Sequence, residues 1–211
     1  MLVFSKMRKI DILPTTVYEF KLPDEIYLKL KTTAENINWN ELPTRNGEPH
    51  YGKSYKPTTL HESEDYKELV EYIKQQVNKV ADEQQYTFLD SLEVSLLWLN
   101  KSSRGQWHHR HFHGWSVLSG IIYVKGLSGK TWFSRPTEYN MPTAFALKEN
   151  CSEVIYKHAP KLGTGLIFPS KLEHSVDAVS EYDEDRITLS FNTFPKGKVG
   201  NADSLAGVNI S

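Results

Sequence analysis

The sequence predicts an α+β protein in which helices come first and a mainly β core follows. Apolar residues recur at helical spacing before about Tyr86, and short alternating segments begin at about Phe88. The chain has 211 residues, of which 39% are hydrophobic, enough for one globular domain with a buried core. We therefore expect residues 1–211 to form a single domain, with helical support over 1–86 and the β core over 87–195.

Two helices are predicted in the N-terminal part. The first begins at Pro23, which suits a first-turn position, and the second follows Ser63 as N-cap. Their apolar stripes are Ile26, Leu30, Ala34 and Ile37, and then Tyr66, Leu69, Ile73, Val77 and Val80. The polar segment from Thr44 to Thr59 carries two prolines and two glycines, so we expect a loop there.

The β core is predicted as a series of short strands. In the first, Val94, Leu96 and Trp98 alternate with Glu93, Ser95 and Leu97. The later candidates are Ser116 to Lys125, Thr131 to Ser134, Glu153 to Tyr156, Gly165 to Pro169, His174 to Val179 and Arg186 to Thr193. Many short strands separated by turn residues indicate a sandwich or a barrel.

Charge and cysteine content narrow the function classes. The net charge is −1, which disfavours a nucleic-acid partner. No apolar run is long enough for a membrane span, and the N-terminus shows no signal-peptide pattern. Cys151 is the only cysteine, which suits a reducing compartment. A cytoplasmic protein without a membrane partner is expected.

Histidines form the first candidate site. Four lie within six residues, at positions 108, 109, 111 and 113, and His174 lies in a separate segment. Residues two apart on a strand share a face, so His111 and His113 could direct two imidazoles at one metal ion. Imidazole suits iron, zinc, copper and nickel. A surface histidine cluster that binds metal only adventitiously remains the alternative.

The last predicted strand carries the second pattern. Ile187, Leu189 and Phe191 alternate strictly with polar residues, namely Arg186, Thr188, Ser190 and Asn192. A polar strand face can line a barrel that holds a polar ligand, although an ordinary surface strand has the same pattern. An arginine there could bind a carboxylate through two hydrogen bonds, beside the hydroxyl of Thr188 or Ser190.

These motifs together resemble the Fe(II)/2-oxoglutarate-dependent oxygenases of bacteria and phages. The resemblance covers about Trp98 to Phe194 and rests on Trp98-Leu99-Asn100, Gly105, His111-x-His113, Ser116, Ser119-Gly120, Tyr123, Phe168-Pro169-Ser170, His174-Ser175-Val176 and Arg186-x-Thr188-x-Ser190-Phe191-Asn192. It implies a double-stranded β-helix, or jelly roll, buttressed by the N-terminal helices. It also implies Fe(II), 2-oxoglutarate and O2, with succinate and CO2 as coproducts.

One feature departs from the wider superfamily, whose usual iron site has two histidines and a carboxylate. The sequence contains no His-x-Asp or His-x-Glu, and His113 stands where the carboxylate is expected. Asp177 or Asp185 could supply a carboxylate instead, and a His109/His111 pair is a second alternative.

The expected enzyme is therefore a 2-oxoglutarate-dependent dioxygenase that hydroxylates a C–H bond of an unidentified peptidyl or small-molecule substrate. The metal ligands are His111, His113 and His174, and no other catalytic residue is assigned. The residues expected around 2-oxoglutarate are Arg186, Thr188, Ser190, Tyr123 and Asn100.

Substrate specificity is expected in the loops Thr44 to Thr59 and Arg135 to Ser152. Two alternatives are a cupin-like three-histidine metal enzyme that does not use 2-oxoglutarate and a non-catalytic jelly-roll binding protein. Trp107, Trp115 and Trp132 are expected in the core.

Overall fold

The computed structural model describes residues 15–44, 47–86, 89–134, 154–200 and 208–210. Within these residues the chain forms two α-helices, α1 (Asp24–Glu35) and α2 (Lys67–Glu83). The strands are β1 (Tyr18–Lys21), β2 (Lys53–Tyr55), β3 (Leu89–Ser102), β4 (His108–His111), β5 (Leu118–Lys125), β6 (Thr131–Ser134), β7 (Val154–His158), β8 (Thr164–Pro169), β9 (His174–Val176), β10 (Arg186–Val199) and β11 (Val208–Ile210). Short 3₁₀ turns occupy Trp39–Glu41, Pro49–Tyr51, Leu60–Glu62 and Glu64–Tyr66.

The strands form two antiparallel sheets. The large sheet has the order β1-β8-β5-β10-β3-β2, with β11 paired to β10, and the small sheet has the order β4-β9-β6-β7. Phe133 of β6 packs against Phe168 of β8 with ring centroids 5.1 Å apart, so the two sheets face each other. Two facing antiparallel sheets with helices outside them confirm the predicted double-stranded β-helix.

The helices pack on the outer face of the large sheet. Ile26 and Leu30 of α1 and Ile73 and Val77 of α2 are buried in one core with Leu189 of β10. These residues lie one helical turn apart on each helix, so each helix buries one stripe. The predicted stripes are thus confirmed, although Ser63 makes no side-chain cap and precedes a 3₁₀ turn.

The alternation of β10 decides what lies between the two sheets. Ile187, Leu189 and Phe191 point into the helix-covered core, as their pattern predicts. Arg186 and Thr188 lie on the other face, towards the small sheet, and both are buried. This strand therefore presents a polar face inside the sandwich.

The predicted face of β3 is wrong over half of its length. The pairing of β3 with β10 shifts register between Asn192 and Thr193, where Ser95 has no partner. An extra residue of this kind reverses the side-chain alternation beyond it. Val94 packs under the helices, but so do Leu97 and Leu99, and Trp98 is thereby turned towards the small sheet.

The polar segment from Thr44 to Thr59 is more ordered than predicted. Lys53–Tyr55 pairs with β3 as an edge strand of the large sheet, and Pro49–Tyr51 forms a 3₁₀ turn. Within the described residues, no helix is long and apolar enough to cross a membrane. The second predicted specificity loop, Arg135 to Ser152, and Cys151 within it, lie outside the described residues.

Candidate metal centre

Three histidines converge at one end of the small sheet. His111 of β4 and His174 of β9 are directly paired across the two strands. His113 lies two residues beyond the end of β4, where its amide N donates a 2.8 Å hydrogen bond to the carbonyl of Ser170. One potential ligand atom from each of the three side chains lies within 4.8 Å of the other two. This spacing suits three ligands of one metal ion.

The orientation of two of the rings is fixed by backbone carbonyls. His111 Nδ1 lies 2.9 Å from the carbonyl oxygen of His109, and His174 Nδ1 lies 2.9 Å from that of Leu172. A carbonyl can only accept, so Nδ1 carries the proton in both rings and the lone pair is on Nε2. This is the usual arrangement of metal-binding histidines.

The alternative ligands lie elsewhere. His109 does not belong to the group of three, and its ring stacks on His108 with centroids 4.7 Å apart. Asp177 is not in the group either. Asp185 forms a 2.8 Å ion pair with Lys101. Burial opposes ionisation of this carboxyl. Hydrogen bonds from Lys101 and Ser103, together with the positive charges of Lys101 and Lys125, outweigh burial and lower the pKa of Asp185.

Arg186 is buried inside the sandwich, with 3% of its surface exposed. Its Nε and Nη2 atoms are buried and have no hydrogen-bond partner among the described residues. Burial lowers the pKa of Arg186 to about 10, so the guanidinium stays charged at neutral pH. Unpaired buried charges are costly and rare, so these donors indicate a site for an anionic ligand.

Tyr123 forms one wall around this arginine. The guanidinium carbon lies 5.7 Å from the centroid of the Tyr123 ring. The Tyr123 hydroxyl is 2.8 Å from the Thr131 hydroxyl, and burial raises the pKa of Tyr123 to about 12. Gly129, at φ +73°, lies on another side, where an added Cβ would come within 2.9 Å of Arg186 Cδ. Tyr123 and Gly129 thus lie close to the arginine on two sides.

The other residues predicted around 2-oxoglutarate lie on the same inner face. Thr188 is buried and pairs with Tyr123 on one side and Asn100 on the other. Asn100 and Ser190 bond to each other, since Asn100 Nδ2 donates to Ser190 Oγ at 3.3 Å. Asn100 Oδ1 also accepts a 2.7 Å hydrogen bond from Ser54.

A cavity of about 530 Å³ opens beside the histidines. Its lining residues are Ser54, Lys56, Thr58, Leu96, Trp98, His108, His109, His111, His113 and Asn192. Ser54, Lys56 and Thr58 lie in the segment Thr44 to Thr59, where substrate specificity was expected, and the edge pairing of β2 brings them to the cavity. The ring centroid of Trp98 is 5.9 Å from that of His113. The alternation of β3 did not predict this position of Trp98, because the bulge in β3 reverses the alternation.

Contrary to the expectation from the sequence, the tryptophans near the histidines are not core residues. Trp115 is 91% exposed and Trp107 is 41% exposed, whereas Trp132 is half-buried under Lys157, whose Nζ is 4.0 Å from its ring. Trp115 lies in the turn after β4, between His113 and Val117, which both hydrogen-bond to the backbone of Ser170, and its side chain points out of the sandwich.

The donors present fit an iron centre with an anionic cosubstrate. Three neutral imidazoles suit a first-row metal, and a three-point set leaves coordination positions open. The buried guanidinium, whose Nε and Nη2 have no hydrogen-bond partner among the described residues, suits a carboxylate.

Comparison with known proteins gives the same assignment. Residues 96–192 match the family model described as "Putative 2OG-Fe(II) oxygenase". No match was found among curated protein sequences.

Similar solved structures share the fold at low sequence identity. They include a Pseudomonas putida prolyl-4-hydroxylase, with 13% identity, a TM-score of 0.61, and 86% of this chain and 94% of that chain covered. The epimerase SnoN from nogalamycin biosynthesis has 13% identity and a TM-score of 0.66, covering 90% of this chain and 81% of that one. HygX from Streptomyces hygroscopicus, solved with nickel and 2-oxoglutarate, has 11% identity and a TM-score of 0.59, covering 86% and 83%. The matched segment holds all three histidines and Arg186, and over residues 96–192 this chain is similar to the Fe(II)/2-oxoglutarate oxygenases.

Proposed function

We propose that His111, His113 and His174 hold Fe(II) and that Arg186 binds the distal carboxylate of 2-oxoglutarate. The observation that carries this proposal is the buried guanidinium, whose Nε and Nη2 have no partner among the described residues. A dicarboxylate would neutralise it, while the other end of the molecule reaches the histidines. Tyr123 and Thr188 flank the same carboxylate.

Strand register supports this division of the site. Thr131, which bonds to Tyr123 beside Arg186, lies two residues along β6 from Phe133, and Phe133 is paired with His174. Two strand positions correspond to roughly 7 Å. The arginine end and the histidine end are thus separated by a distance that suits a five-carbon dicarboxylate.

Bound Fe(II), with 2-oxoglutarate and O2, supplies the oxidation of a C–H bond, with succinate and CO2 as coproducts. The chain's own residues bind and orient. Backbone carbonyls fix the rings of His111 and His174, the guanidinium fixes one end of the cosubstrate, and the apolar side chains of Phe133 and Phe168 keep water from the interior.

The reaction on the primary substrate is proposed to be hydroxylation of a peptidyl or small-molecule C–H bond. Similar structures include enzymes named for both kinds of substrate, a prolyl-4-hydroxylase and an epimerase of antibiotic biosynthesis. The cavity of about 530 Å³ admits either a side chain or a small metabolite. A cytoplasmic location is proposed because the chain has a single cysteine.

The test is succinate formation from 2-oxoglutarate by the anaerobically reconstituted Fe(II) protein after exposure to O2. We expect slow turnover even without a primary substrate. Turnover should require both Fe(II) and O2. If the metal-loaded protein forms no succinate but still oxidises or isomerises other compounds, the cupin-like alternative replaces this proposal.

A further inference from the structure

Three serine hydroxyls connect the cavity to the backbone of the large sheet. Ser119 Oγ lies 2.7 Å from the side-chain amide of Asn192, at the atom placed as Oδ1. Ser119 Oγ is 2.8 Å from Ser170 Oγ, which is 2.8 Å from Ser116 Oγ. Ser116 Oγ is in turn 2.9 Å from the carbonyl of Leu118 and 3.0 Å from that of Thr193.

The number of hydrogens available determines the direction of this chain. Carbonyl oxygens cannot donate, so the Ser116 hydroxyl must donate to Leu118 or Thr193. Ser170 then donates to Ser116, and Ser119 donates to Ser170. Each hydroxyl has one hydrogen, so Ser119 has none left for the amide of Asn192.

The remaining hydrogen must therefore come from Asn192. Oxygen and nitrogen of a side-chain amide have nearly the same shape, so its orientation follows from its hydrogen bonds. An Asn192 amide that donates to Ser119 through Nδ2 turns Oδ1 towards the cavity. The opposite orientation of the amide leads to one of two unfavourable arrangements. Either one oxygen–oxygen contact of 2.7–3.0 Å contains no hydrogen, or the Ser116 hydroxyl faces two carbonyl oxygens without donating to either of them.

We propose that Asn192 is a specificity-determining residue of the cavity and recognises its substrate as a hydrogen-bond acceptor. This assignment rests on the proposed function, since it concerns which molecule is presented to the iron. Asn192 lines the cavity together with His111, His113 and Trp98. The substrate would place an N–H or O–H against Asn192 Oδ1 and an apolar portion against Trp98 and Leu96.

The hydroxyl chain makes this acceptor rigid. Ser119 and Ser170 are buried, with 1% and 0% of their surface exposed, and Ser116 also accepts the amide N–H of Thr193 at 3.1 Å. An amide fixed in this way cannot rotate to serve a substrate that offers only acceptors. A lactam N–H is a simple group of the required kind.

Neutron diffraction from crystals of the Zn(II) protein exchanged into D2O tests the orientation without any substitution. We expect two deuterium atoms on the Asn192 atom nearest Ser119. Deuterium on the atom that faces the cavity would overturn the proposal.

Recognition is tested with two fragment probes, 2-pyrrolidinone and N-methyl-2-pyrrolidinone, which differ only in the N–H. Their binding to the Zn(II)·2-oxoglutarate protein is measured by ligand-observed NMR titration. One hydrogen bond should favour 2-pyrrolidinone by about threefold to tenfold. The preference should vanish in Asn192→Ala and persist in Asn192→Asp, which keeps an acceptor.

Equal affinities, no binding of either probe, or a preference that survives in Asn192→Ala would contradict this role. The zinc protein carries out no oxidation, so this result is independent of turnover. A failed succinate assay with an intact lactam preference would refute the proposed function alone.

Discussion

His111 and His174 stand directly opposite each other on neighbouring antiparallel strands, with ring centroids 4.3 Å apart. Two potential metal ligands are thus held by one strand pair. His113 completes the group from the segment that follows β4. The rigidity of the strand pair and the separate attachment of His113 lead to different expectations for their substitution.

His174→Ala should abolish tight metal binding. It removes one of three ligands, and we expect a loss larger than the tenfold to hundredfold that is typical of changes in the outer partners of a metal site. Calorimetric titration of the metal-free protein with Mn(II) measures the change. His61→Ala is the control and should bind normally. Full metal occupancy in His174→Ala would refute the three-histidine site.

His113→Ala should lose more metal affinity than His109→Ala or His108→Ala. Only His113 belongs to the converging group, whereas His109 stacks on His108. The same titration of the three folded variants ranks them. If His109→Ala is the most damaging change, the ligand pair is His109 and His111.

Arg186→Met should weaken 2-oxoglutarate binding about tenfold to a hundredfold. Hydrogen bonds to a charged group contribute roughly 1.5–3 kcal/mol, and 1.4 kcal/mol corresponds to one decade in affinity. Metal affinity should stay nearly unchanged. Calorimetry in the presence of Mn(II) separates the two constants.

Arg104→Met serves as the control for that titration, because Arg104 is exposed and its guanidinium donates a hydrogen bond to the carbonyl of Glu181. Unchanged 2-oxoglutarate affinity in folded Arg186→Met would remove the assigned cosubstrate site and leave the metal site standing.

The same substitution should stabilise the protein in the absence of 2-oxoglutarate. Leaving buried donors unsatisfied costs about 1–3 kcal/mol, and Arg186→Met removes them. Burial lowers the pKa of Arg186 to about 10 in the folded protein, so its charged form is disfavoured there. The gain should therefore hold at every pH below about 10 and shrink as the pH rises further towards the ordinary pKa of arginine. Urea unfolding with and without 2-oxoglutarate measures it, and a less stable ligand-free variant would contradict it.

Thr188→Val should weaken 2-oxoglutarate binding more than Ser190→Ala does. Thr188 is buried two strand positions from Arg186, on the same face, and valine keeps its shape while removing the hydroxyl. Ser190 Oγ already accepts a hydrogen bond from Asn100. We expect about twofold to tenfold weaker binding for Thr188→Val, from roughly 0.5–1.5 kcal/mol per hydrogen bond, and almost none for Ser190→Ala. The reverse order would place the carboxylate nearer to Asn100.

The periodicity of apolar residues was sufficient to predict the buried faces of three elements, β10, α1 and α2. The strict alternation of β10 predicted which side chains enter the helix-covered core, and the stripes of α1 and α2 predicted their buried faces. It failed where pairing with another strand decides the outcome. The extra residue at Ser95 follows from register with β10, and β2 is only three residues long.

The candidate site likewise has features that the sequence predicts and features that only contacts between segments determine. The converging histidines and Arg186 follow from motif spacing, whereas the orientation of Asn192 follows from a chain of contacts, most of which join segments distant in sequence. Such contacts leave no periodic signal in the chain.

The family match spans residues 96–192, yet Ser54, Lys56 and Thr58 on the cavity wall lie upstream of it. Part of the cavity wall thus comes from outside the matched segment, whereas the three histidines, Arg186 and Asn192 lie inside it. An edge strand of three residues can change its side chains without disturbing the interior of the sheet it joins. Such an arrangement lets selection retarget the enzyme towards a new substrate while the iron and cosubstrate machinery stays constant.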